Sequence, residues 1–181
     1  MSSARLTYSS LPKEVKDIAN NSLGTGVLRS MFDYSATYHL MMKVSDGAFI
    51  GFVLYHFERR KIGSKSYVTG VIDTVCVDRA YRKEGFGTLL TYGSLRKMSA
   101  SGNVDRVEIM LKSPGHYDAD TMPNVPVLGS EELLTAMGFR KIETIENYYY
   151  RQSQKYGYDC IVCHERPCTC KGLLFAINAT D

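Results

Sequence analysis

The 181-residue sequence has no tryptophan, only five prolines and no long hydrophobic run. A membrane-crossing helix needs about 20 consecutive apolar residues. The longest mainly apolar stretches here, such as Ala48–Phe57, have the length of a strand. The opening Met1-Ser2-Ser3-Ala4-Arg5 is polar and lacks the apolar core of a secretory signal. Charge of one sign is missing too: 22 Lys and Arg face 19 Asp and Glu, a net charge of +3. So mild an excess gives no ground for binding nucleic acid or an anionic membrane. Internal repeats and low-complexity tracts are absent. What remains is 44% hydrophobic and 23% charged residues, enough for a packed core. The expectation is a soluble, cytoplasmic protein of one domain, or of one domain with a small appendage.

Cysteine is unevenly spread. Cys76 stands alone, while Cys160, Cys163, Cys168 and Cys170 crowd together. In a chain read as cytoplasmic, close-set cysteines suit a metal better than disulfides. Cys-x-x-Cys can wrap one ion from a tight turn, and zinc takes four such ligands. His164 could replace one cysteine. Free thiols or a redox pair are the alternatives.

Hydrophobic periodicity and turn residues predict the element order. A short strand is expected at Arg5–Tyr8, then a helix after Pro12 that breaks at Asn20-Asn21-Ser22, and a second helix over Val27–Tyr34. Strands Tyr38–Val44 and Ala48–Glu58 flank the turn Ser45-Asp46-Gly47. Arg59–Ser66, with Arg59, Arg60, Lys61 and Lys65, reads as a solvated basic loop. A strand over Tyr67–Val77 would place Val71, Asp73, Val75 and Val77 on one face, with Ile72 and Cys76 on the other. A helix over 85–100 would align Phe86, Leu89, Leu90 and Gly93. Then come a strand at Arg106–Lys112, a proline-bearing loop over Ser113–Gly129, a helix from Ser130 to Met137, a strand over Phe139–Tyr150 and an apolar run at Leu173–Ile177. One mixed sheet flanked by helices is the economical α/β architecture.

The most informative stretch is Val75-Cys76-Val77, followed by a turn through Arg82-Lys83-Glu84-Gly85-Phe86-Gly87-Thr88 into a helix. The first N–H groups of a helix lack internal partners and lie at its positive end, which suits a pyrophosphate. Gly85 and Gly87 leave room for close approach, and Arg82 and Lys83 supply charge.

In this context Arg82-x-x-Gly85-x-Gly87 resembles the acetyl-CoA signature of the GNAT N-acetyltransferase superfamily, and Met137-Gly138-Phe139 resembles the end of that family's penultimate helix. The resemblance covers roughly residues 5–150. It implies a mixed, mainly antiparallel sheet flanked by helices, with an acetyl-CoA-binding domain over 1–151. A Cys-rich, possibly zinc-binding segment with a final strand would occupy 152–181. The Arg82–Thr88 turn would hold the CoA pyrophosphate. The backbone of Val75, Cys76 and Val77 would pair with the pantetheine arm where the strand parts from Arg106–Lys112.

Acyl transfer from a thioester to an amine needs a proton acceptor, a donor for the carbonyl and an acid for the leaving thiolate. Asp73 is the candidate base. Many family members carry the acid as a tyrosine at the position of Leu134; Leu133 beside it is also apolar. Tyr148, Tyr149, Tyr150 or His116 are the substitutes on hand. Cys76 reads as a small core residue. The resulting expectation is an N-acetyltransferase acting on a protein lysine, an N-terminus or a small-molecule amine. The rival is a catalytically silent module of the same fold that contacts a protein partner through its cysteine segment. Nucleic acid is not an expected partner.

Overall fold

The structure is a computed structural model and describes residues 6–32, 38–101, 103–113, 128–158 and 160–178. His116 and most of the proline-bearing loop lie outside these residues.

The center of the fold is a long hairpin. Strand β2 (Ala48–Ile62) and strand β3 (Lys65–Val77) pair antiparallel from Ile62↔Lys65 to Gly51↔Val77. The expected basic loop is therefore mostly strand, and only a tight turn at Gly63 (φ 62°) separates the two. Strand β1 (His39–Ser45) adds to β2 through the turn Asp46-Gly47, where both residues have positive φ. Strand β4 (Arg106–Ser113) runs parallel to β3. Strands β5 (Arg140–Ile145) and β6 (Lys171–Asn178) complete six strands in the order β1-β2-β3-β4-β6-β5. The last strand in sequence thus lies inside the sheet, antiparallel to both neighbors.

Helices cover both faces. Helix α3 (Phe86–Ala100) buries Leu90, Thr91, Ser94 and Met98 on one face, and Leu134 of helix α4 (Leu128–Ala136) joins the same core. Leu89, expected to face inward, is 60% exposed. Met98 fits because residue 70 is glycine: a Cβ there would sit 2.6 Å from its sulfur. On the opposite face, Val15, Ile18 and Ala19 of helix α1 (Lys13–Leu23) pack with Leu28 of helix α2 (Val27–Met31) against Phe52, Leu54 and Cys76. Helix α1 continues through Asn20-Asn21-Ser22, which does not break it.

The expected first strand is a turn where it is described, closed by Ser10 N–H donating to the Thr7 carbonyl (3.1 Å). The expected strand to Tyr150 ends at Ile145. Asn147 (φ 52°) then turns the chain into helix α5 (Tyr150–Tyr156). Tyrosine's strand preference made this segment look extended.

One local irregularity reorganizes the center. Leu54 pairs with Thr74 and Tyr55 with Ile72, so Asp73 has no opposite residue and forms a β-bulge. The bulge resets the alternation. Ile72 shares its core with Val75 and Val77, while Cys76 belongs to the other. Asp73 turns toward His56, which pairs with Val71, and away from Val75 and Val77, with which period two had grouped it.

Candidate functional site

The pairing of β3 with β4 ends at Ile72↔Ile109, just before the bulge. Beyond it the two parallel strands part, and a cleft of about 1390 Å³ opens along the gap. Val75, Val77 and Gly87 line one end of this cleft, and His56, Asp73 and Glu108 line another part.

At the first end, Asp78 caps a short 3-10 turn (Arg79–Tyr81) by accepting from Ala80 N–H (2.9 Å). The chain then passes through positive φ at Lys83 (68°) and Gly85 (83°) into α3. Gly85 is required by its backbone, because a Cβ there would meet nothing within 4 Å. At Gly87 a Cβ would meet only Val77 Cγ2, at 4.0 Å, so the helix start is open on that side. Phe86, Gly87 and Thr88 carry N–H groups of the first helical turn, an arrangement that fits a phosphate. Arg82 has a bracing part that its charge did not suggest. Its Nε donates to the Val77 carbonyl (3.1 Å) and its guanidinium to Ser22 Oγ of α1 (2.9 Å).

Beyond the bulge lies a chain of ionizable groups. His56 Nδ1 is 2.6 Å from Asp73 Oδ2, and His56 Nε2 is 3.0 Å from Glu58 Oε1. Arg60 donates twice to Glu58 Oε2 (2.8 and 2.7 Å) and once to Glu108 Oε2 (2.8 Å). Arg106 Nε approaches Glu108 Oε1 to 3.0 Å without the alignment of a hydrogen bond. Both imidazole nitrogens face carboxylates, so both contacts are satisfied together by the imidazolium. Burial opposes that charge, but the hydrogen bonds and charges of Asp73 and Glu58 outweigh it and raise the His56 pKa. Burial pushes Asp73 above the usual carboxylate range, and His56 reverses this only in part. Burial acts on Glu58 in the same sense, but His56 and Arg60 outweigh it and lower its pKa.

The sequence reading singled out Asp73 but missed His56, Glu58, Arg60 and Glu108. Their signal was present as His56-x-Glu58-x-Arg60 on one face of a mainly apolar strand, and as Glu108 between Val107 and Ile109. Cys76 is buried, which pushes its thiol up to about 11 and leaves it inert at neutral pH. Leu134 is buried in the core. Of the three tyrosines, Tyr148 and Tyr149 line the cleft, whereas Tyr150 does not.

The four clustered cysteines lie between α5 and β6. Their sulfurs are all within 4.8 Å of one another. This loop packs on Val27 of α2, and Val162 within it forms part of the cleft wall.

Fold and site together define a class: a single-sheet protein that offers an anion a strand-to-helix turn and an extended ligand the gap between two parted parallel strands. The model of the acetyltransferase (GNAT) family matches residues 10–116, more than half the chain, and the chain belongs to that family. Among solved structures, it is similar to a Bacillus subtilis acetyltransferase in complex with CoA (16% identity, 93% of each chain, TM-score 0.63). It is also similar to Arabidopsis thaliana NAA60 in complex with a bisubstrate analogue (15% identity, 96% of this chain and 95% of that one, TM-score 0.63). An IAA acetyltransferase from Bacillus cereus is a third such neighbor (17% identity, 96% of each chain, TM-score 0.61). No curated protein matches the chain. At these identities the likeness concerns the fold.

Proposed function

We propose that the protein is an N-acetyltransferase that moves an acetyl group from acetyl-CoA to an amine. The observation that carries this reading is the single cleft lined by both the Gly87 helix start and the Asp73–His56 pair. In this reading the N–H groups from Gly85 to Thr88 take the pyrophosphate, with Lys83 beside them and Arg82 bracing the turn. The backbone of Val75, Cys76 and Val77 receives the pantetheine arm in the gap beside β4.

The amine nitrogen attacks the thioester carbon, the C–S bond breaks and the sulfur leaves as a thiolate that takes up a proton. The nitrogen gives up its proton to Asp73, which His56 orients and whose charge it supports. A protein lysine, an N-terminus or a small-molecule amine would meet these needs equally.

The test is release of free CoA thiol in the presence of a panel of amines and peptides. Asp73→Asn should retain acetyl-CoA binding and lower the rate by about 10²-fold or more, the scale of general-base catalysis. Acetyl-CoA binding without thiol release from any acceptor would point to a binding module. An unchanged pH–rate profile in the variant would remove Asp73 from the base role.

A further inference from the structure

The cysteine cluster takes no part in acyl transfer, yet its geometry is specific. Four ligands about 2.3 Å from a zinc ion at tetrahedral corners lie about 3.8 Å apart. Cys160 and Cys170 sulfurs are 3.8 Å apart, and Cys163 and Cys168 sulfurs are 3.7 Å apart. Two opposite edges of such a tetrahedron are therefore already at the metal-bound length, and a contraction of at most about 1 Å would bring the remaining edges to it. The separations are far beyond the roughly 2.05 Å of a disulfide.

The surroundings fit a charged center. Zinc with four thiolates carries two negative charges. Lys112 of β4 donates to Cys160 Sγ (3.8 Å), and its ammonium lies 4.2 Å from the Tyr149 ring center and 5.0 Å from that of Tyr158. A cation held by two aromatic faces against one thiolate is the outer support a metal–thiolate site needs. The loop is also tied to helix α5 by Cys168 N–H, which donates to Ser153 Oγ (2.7 Å). Tyr158, Val162 and Val27 form a small cluster with Cys160, Cys168 and Cys170.

We propose that Cys160, Cys163, Cys168 and Cys170 hold one zinc ion in a closed structural site, which fastens the loop before β6 to α2 and fixes that wall of the cleft. Lys112 offsets the charge of the site. With all four positions taken by protein sulfur, the ion has no open position for a substrate.

The full-length protein, purified under reducing conditions, should carry about one zinc per chain. Cobalt titrated into chelator-treated protein should give thiolate-to-metal charge-transfer bands and tetrahedral ligand-field bands. Cys163→Ser, at the partly exposed ligand, should lose those bands or weaken them. Lys112→Met should reduce metal affinity about 10-fold, the scale of outer support. Chelation should speed tryptic cleavage at Lys155 and Lys171. Protein without zinc and without cobalt–thiolate bands overturns the proposal. So does protein that keeps two disulfides and no metal, and iron at the site overturns zinc as the ion. None of these readouts depends on acetyl transfer, so their failure is separate from failure of the acetyltransferase reading.

Discussion

Replacing Asp73 with Asn tests the ionic character of the buried pair directly. The His56 and Asp73 side chains are 7% and 17% exposed, so solvent screens their 2.6 Å contact weakly. A hydrogen bond involving charge contributes about 1.5–3 kcal/mol, and a neutral one about 0.5–1.5 kcal/mol. Asn keeps the shape and a neutral acceptor, so Asp73→Asn should lose about 1–2 kcal/mol. That is about 2–8 °C in Tm for a domain of this size. The loss should depend on pH. The folded-state pKa of His56 is raised, so its contribution is full below the unfolded value of about 6.5 and fades as pH rises through the folded value. Asp73 is raised by burial, so the expense of ionizing it in the fold grows with pH, and Asn removes that expense. Once Asp73 is ionized in both states that expense is constant, and the pH dependence of the difference follows His56. Urea unfolding of parent and variant should show a larger difference at about pH 6 than at about pH 9. Equal losses at the two values, or a larger loss at high pH, would refute the ionic pair.

Other expectations can be checked separately. Saturating acetyl-CoA should raise the parent's stability by about 3–4 kcal/mol at 100 to 1,000 times Kd. Gly85→Asp should abolish that thermal shift, and a folded variant that keeps it would dismiss the turn as the phosphate site. Gly51→Ala should destabilize by about 2–3 kcal/mol or more in denaturant melts, because its Cβ would lie within van der Waals overlap of the rigid Cys76 carbonyl oxygen. Met98→Ala should lower stability by about 2–5 kcal/mol, because this fully buried side chain fills the space above Gly70.

Much of the sheet was legible because its signals are local. The Asp46-Gly47 turn, the glycine-flanked start of α3 and the apolar runs of β2, β3 and β4 each declare themselves within a few residues. The bulge was not legible, because a one-residue slip leaves the composition of β3 unchanged while moving Asp73 to the other face. This also hid the partnership with His56, which depends on the register between two strands. Arg60 looked like part of a solvated basic run because its partner Glu108 lies 48 residues away in sequence. Helix α5 was lost to the strand preference of three consecutive tyrosines. The metal reading of the cysteines came from spacing alone, whereas Lys112 became visible as their neighbor only in three dimensions.

The interior position of β6 has a consequence for synthesis on the ribosome. When β5 leaves the exit tunnel it has no strand to pair with among those described, and β4 presents an open edge. The 25 residues from Glu146 to Cys170 must also leave the tunnel before β6 can follow. Until then the nascent chain exposes an unpaired, apolar strand edge, the kind of surface that recruits other chains. The β1–β4 half of the sheet can assemble first, whereas β5 must wait for β6 before it can join. Growth temperature and chaperone supply should therefore affect soluble yield more than equilibrium stability would suggest.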